Sequence, residues 1–140
     1  MHQKPSPVPA GTRCVFVYGT LRRGQANDIT RLRPAPRLLG RARVRGRLYH
    51  LGAYPGVVLS GDGWVLGEVY AIEAALEARL DEIEMIYPQQ RDEYVKRQLP
   101  VTVQLAGGGE AVVECLCYEI NPAYLQDAPL IASGDWMQAA

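Results

Sequence analysis

The chain is short of the groups from which many active sites are built. It has two histidines, His2 near the start and His50 after a tyrosine in a strand-like stretch, and three serines, Ser6, Ser60 and Ser133, none in a Gly-x-Ser-x-Gly turn. That argues against serine-type nucleophilic catalysis, and a lone histidine on a strand is more often a packed or surface residue than a base. The three cysteines, Cys14, Cys115 and Cys117, have no second Cys or His cluster to complete a metal site, and they read as reduced, packed thiols. No P-loop occurs, and Gly61, Gly63 and Gly67 follow a different spacing from the dinucleotide fingerprint, so no nucleotide cofactor is indicated. No apolar run approaches the roughly 18 residues of a membrane span. Residues 1–12 are rich in proline and lack the apolar centre of a secretory signal, and they read as a flexible tail on a cytoplasmic protein.

What remains is a chain of 140 residues, 48% apolar, sized for one domain over residues 13–140. Its formal net charge is zero but unevenly spread. Residues 1–61 hold eleven Lys or Arg against Asp28 alone, while residues 62–140 hold four against fourteen acids. Ten arginines between Arg13 and Arg47 could line a nucleic-acid surface or pair with the acidic half after folding. The second reading is favoured, because lysine is scarce and aromatics for base stacking are not interleaved with the arginines.

Val15-Phe16-Val17-Tyr18 suits a buried strand that empties at Gly19 into a loop of small and polar residues. Gly19 and Gly24 would allow unusual backbone angles, so the N–H groups of Gly19, Thr20 and Leu21 could form a concavity for a carboxylate or phosphate, with Arg22 and Arg23 adding positive potential. Asn27 reads as the cap of a short helix to about Leu32, ended by Pro34 and Pro36. Leu38 to Tyr49 alternates arginines with small or apolar residues, which predicts a half-exposed strand bent at Gly46. Short strands follow at Val57 to Leu59 and Trp64 to Ile72. The one strong helix signal begins near Glu73, where Ile72, Leu76, Leu80 and Ile83 form an apolar stripe, and Pro88 sets its latest end. Tyr94 to Leu105 and Ala111 to Ile120 read as a hairpin around Gly107-Gly108-Gly109. The order predicts a mixed α+β domain with a curved antiparallel sheet or small barrel.

Asp81, Glu82 and Glu84 crowd the end of the predicted helix. By helical phase Glu82 points far from the apolar stripe and Asp81 well off it, whereas Glu84 flanks Leu80 at the core boundary. A carboxylate there faces the negative end of the helix dipole and is partly buried, so its pKa is expected to rise towards the range useful for acid–base work near neutral pH.

Together these features resemble the gamma-glutamylcyclotransferase-like family, which includes gamma-glutamylamine cyclotransferases. The first motif is Val17-Tyr18-Gly19-Thr20-Leu21-Arg22-Arg23-Gly24 with Asn27 following. The second, Leu80-Asp81-Glu82-Ile83-Glu84, resembles the family's Leu-Asp-x-x-Glu segment. Further matches are Gly67-Glu68-Val69-Tyr70, then Tyr94 and Arg97 with Val101, then Ser133-Gly134-Asp135-Trp136. The chain departs from the pattern at Met85, where the family usually has glycine, and Glu82 is the fallback for the acid.

The resemblance implies a small, mixed but mostly antiparallel β-barrel flanked by a few helices. It also implies cleavage of a gamma-glutamyl amide by the substrate's own α-amine, giving 5-oxoproline and a released amine, with no cofactor. Glu84 would be the catalytic acid–base. The backbone of Gly19, Thr20 and Leu21 would hold the α-carboxylate, and Tyr18 would form a wall or hydrogen-bond the glutamyl group. The expected partner is a small gamma-glutamyl substrate, with no nucleic acid and no membrane, and the oligomeric state is open. The competing expectation is a catalytically silent member that binds a small anionic or gamma-glutamyl-like metabolite.

Overall fold

In the computed structural model, which describes residues 8, 11–84 and 92–138, seven strands form one sheet in the order β1-β5-β2-β6-β7-β4-β3. The strands are β1 (Cys14–Val17), β2 (Arg37–Arg45), β3 (Arg47–His50), β4 (Pro55–Val58), β5 (Trp64–Ala71), β6 (Tyr94–Leu105) and β7 (Glu110–Ile120), and the helix α1 (Ala74–Ile83) lies between β5 and β6. A parallel pairing of β1 with β7, through Cys14 opposite Cys115 and Val15 opposite Leu116, closes five strands into a barrel. The other pairings around the ring are antiparallel, and the β3–β4 hairpin hangs from β7 through Val57 opposite Glu119. The expected mixed, mostly antiparallel small barrel is the observed fold. Among the described residues its helical complement is α1 and three single 3-10 turns.

Alternation along the strands divides the apolar residues into two layers. Phe16, Val65, Val69, Val103 and Cys115 point into the barrel lumen. Val15, Val17, Tyr70, Leu116 and Ile120 point outward and are covered by Leu76 and Leu80 of α1 and by Leu21 and Ile29. Because both of its faces are covered, all four residues of β1 are buried and its sequence reads as an unbroken apolar run. Val8 also packs against the lumen layer.

Several boundaries move by a residue or two, and β2 and β3 part at Gly46 as expected. The expected helix from Asn27 to Leu32 is instead one 3-10 turn, Ile29–Arg31, and its cap is Asp28, whose carboxylate accepts from the Thr30 N–H at 2.9 Å. Proximity explains the exchange, since a carboxylate directly before the turn reaches a donor two residues on. α1 starts where expected: Glu73 is its N-cap and strong helix formers follow. It ends at Glu84, whose N–H reaches the Leu80 carbonyl at 2.9 Å. The expectations for Met85 and Pro88, and most of those for the tail, lie outside the described residues.

No helix among the described residues is long and apolar enough to cross a membrane. Cys14, Cys115 and Cys117 are free and buried, and burial pushes the Cys115 thiol up to about 12.

Candidate active site

The loop leaving β1 and the end of α1 meet at one cavity of about 310 Å³. Tyr18, Gly19, Thr20 and Leu21 line it from one side, Ile83 and Glu84 from the helix end, Tyr54 and Pro55 from the entry to β4, Glu93 and Tyr94 from the entry to β6, and Tyr118 from β7. All five residues singled out from the sequence, Tyr18, Gly19, Thr20, Leu21 and Glu84, therefore lie around a single space.

The loop is shaped by bonds that consume its carbonyls. Gly19 O accepts from the Arg22 N–H at 3.0 Å, Thr20 O from Asn27 at 2.8 Å and Leu21 O from Ile29 at 2.9 Å. The N–H groups of the same three residues have no acceptor among the described residues, although Leu21 is buried. Three successive donors without partners beside a cavity form an anion-seeking concavity, because a buried N–H left unpaired is costly.

Gly19 earns its place sterically. It does not enter the left-handed region, where Gly24 sits at φ +85°, but a Cβ on Gly19 would lie 2.5 Å from the Pro55 ring. The expectation of unusual backbone angles therefore holds for Gly24 and is corrected for Gly19.

Arg22 is also corrected. Its Nε donates to the Glu68 carboxylate and its Nη1 to Asp135 at 2.7 Å, and its side chain is 13% exposed. Both carboxylates neutralise it, so its charge anchors the loop instead of facing the cavity. Glu68 also accepts from the Arg23 N–H at 3.2 Å, and Asp28 accepts from the Gly24 N–H at 2.8 Å. Burial pushes the Asp28 carboxyl up, but bonds from Thr30 and Gly24 outweigh it and hold the group below the usual carboxylate range. Motif residues far apart in sequence, Glu68 and Asp135, thus converge on one loop.

Tyr18 donates its hydroxyl to the Tyr118 carbonyl at 2.6 Å and accepts from the Val57 N–H at 3.4 Å. With both bonds made inside the protein, it is a wall of the cavity. Tyr94 donates to the Pro55 carbonyl at 2.7 Å, fixing the residue that packs on Gly19. Burial raises both phenols well above their ordinary range, so they are neutral near pH 7.

Glu84 is half-buried, and its carboxyl is pushed up to about 7, first by burial and then by the charge of Glu93. The direction matches the sequence expectation; Glu93 was not foreseen. Glu82 is exposed and away from the cavity, which removes it as the fallback. Asp81 departs most from its expected place. Read as lying well off the apolar stripe, it is buried, accepting from the Tyr118 hydroxyl at 2.8 Å and from Lys96 Nζ at 3.0 Å. Lys96 also bonds Glu77, which pairs with Arg13 at 2.9 Å. α1 is therefore pinned three residues before Glu84 by the neighbouring strands β6 and β7, through the cross-strand partners Lys96 and Tyr118, which a helical phase taken from one stripe could not reveal.

Residues 15–138 match the family described as gamma-glutamyl cyclotransferase, AIG2-like. The chain belongs to that family. It is 36% identical over 116 residues to a gamma-glutamylaminecyclotransferase of Bos taurus, an alignment that covers 74% of this chain and 63% of the relative. It is 46% identical over 68 residues to the gamma-glutamylcyclotransferase family protein YtfP of Escherichia coli, covering 48% of this chain and 58% of that protein. These alignments thus span about three fifths of the relatives. Among solved structures, an AIG2-like protein from Mus musculus superposes with a TM-score of 0.67 at 28% identity, covering 89% of this chain and 88% of the other.

Proposed function

We propose that this member of the family is a cofactor-independent cyclotransferase acting on gamma-glutamyl amides. The α-amine nitrogen of the substrate attacks its own γ-carbonyl carbon, a ring C–N bond forms, the amide C–N bond breaks, and 5-oxoproline and an amine leave. Because nucleophile and electrophile belong to one molecule, the protein has to fold the glutamyl chain and move protons. The N–H groups of Gly19, Thr20 and Leu21 hold the α-carboxylate, and Tyr18 walls the glutamyl chain. Glu84 takes one proton from the α-ammonium, freeing the lone pair, and delivers it to the departing nitrogen; the second proton that the attacking nitrogen sheds on becoming the ring N–H ends on the released amine, which leaves as an ammonium, so atoms and charge balance.

The observation that carries this reading is the shared cavity: three unpartnered donors at one side and, at the other, a carboxyl raised to about 7. A carboxyl of that kind both accepts and returns a proton near neutral pH. The test is 5-oxoproline release from a panel of gamma-glutamyl amides. Glu84→Gln keeps the shape but not the exchangeable proton, and turnover should fall by roughly 10²- to 10⁴-fold with binding retained. In the native protein kcat/KM should rise with pH through about 7, since the ionised form is the base. Full activity in Glu84→Gln would refute the assignment, and binding without release by the native protein would favour the silent alternative.

A further inference from the structure

The cavity holds a second carboxylate that the proton transfer does not use. Glu93 lines it together with Glu84 and is fixed at both ends. The Tyr54 hydroxyl donates to its Oε1, and its own carbonyl accepts from the Asn121 N–H at 2.7 Å. The Tyr54 ring rests against Tyr94, with centroids 6.3 Å apart, and Tyr94 is tied to Pro55. Glu93 has no cationic partner among the described residues, and its one side-chain bond comes from the Tyr54 phenol.

The surroundings of Glu84 make that placement matter. The titratable groups that face it are Tyr18 just after β1, Tyr54 from the β3–β4 connection, Glu93 just before β6, Tyr94 of β6, and Cys117 and Tyr118 of β7. The phenols and the thiol are all raised and so neutral near pH 7, and Glu93 is the carboxyl in this set whose charge pushes Glu84 up. We propose that Glu93, held by Tyr54, is a positioning residue for proton transfer: its fixed negative charge makes Glu84 retain the proton taken from the substrate until the leaving nitrogen receives it. Glu93 touches neither reacting atom in this scheme and acts through Glu84. The catalytic part rests on the cyclotransferase reading, whereas the coupling between the two carboxyls does not.

Two measurements separate them. Carbon-13 NMR of the Glu84 carboxyl gives its titration with no turnover required. In the native protein the midpoint should lie near 7, and in Glu93→Gln it should fall by roughly one pH unit, since an adjacent like charge has been removed. Glu93→Asp, which restores a carboxylate, should recover at least part of the shift. If turnover is present, the ascending limb of kcat/KM against pH should move by the same amount in Glu93→Gln, with KM at pH 8 little changed. An unmoved Glu84 midpoint in a folded Glu93→Gln protein overturns the proposal, as does a raised KM with an unmoved limb, which would make Glu93 a substrate-binding group. A shifted midpoint in a protein that releases no 5-oxoproline would uphold the coupling and reject the cyclotransferase reading instead.

Discussion

Arg22 in the loop after β1 and Arg43 and Arg45 on β2 come from the same basic half of the chain, yet they end in opposite surroundings. Arg22 is almost enclosed and shared between Glu68 and Asp135. Arg43 and Arg45 are exposed and stack on the Trp64 ring, 4.2 and 3.9 Å from its centre. The pairing of basic and acidic halves expected from composition is real for Arg13 and Arg22, whereas no acid among the described residues pairs with Arg41, Arg43, Arg45 or Arg47. Charge that is buried is committed to a geometry, while exposed charge is mostly solvated and screened. Glu84 is a third case, an enclosed carboxyl with no cation among the described residues.

That contrast can be broken at each point. The largest effect on stability is expected at Glu84. Its carboxyl titrates near 7 when folded and near its ordinary value of 4.5 when unfolded, so the folded state holds the extra proton and stability declines as pH rises between the two. Glu84→Gln should therefore stabilise the protein at pH 8 by up to about 3 kcal/mol and by little at pH 4, checked by urea unfolding at both values. Glu68→Gln should act in the opposite direction, costing on the order of 2 kcal/mol, less than a fully orphaned buried charge because Asp135 remains on Arg22. The same variant should raise KM by loosening the loop. Gly19→Ala forces a Cβ against Pro55, and repacking there should cost about 1 to 2 kcal/mol with a several-fold rise in KM. Arg43→Ala and Arg45→Ala should each change stability by no more than about 1 kcal/mol and leave turnover unaltered, which a melting curve and the release assay would show.

The parts that were legible in the sequence are those where one residue's pattern suffices. The stripe of Ile72, Leu76 and Leu80 gave α1 because those residues do face one core, and the alternation of β2 marked its wet side. The loop at Gly19 and the acid at Glu84 were also legible, and both line the cavity. What escaped depends on partners distant in sequence. Asp81 was misjudged because its carboxylate meets Tyr118 and Lys96, cross-strand neighbours on β7 and β6 that lie far from α1 in sequence. Arg22 was taken for a ligand-facing cation because the two acids that claim it lie 46 and 113 residues further on. Glu93 carries no local signature at all, since its importance comes from Tyr54 and Glu84 folding in beside it.

The short parallel pairing of β1 with β7 has a consequence for how any ligand meets this protein. β1 is four residues long and hydrogen-bonded along both edges, to β5 on one side and β7 on the other. A strand gripped in that way cannot pivot, and the turn that follows it is fastened within a few residues by Arg22. The donor end of the cavity is thus rigid before an anion arrives, so capture there spends little of its free energy on ordering the receptor. At the opposite rim Ala53 is exposed, while Tyr54 is held by Glu93 and Tyr94.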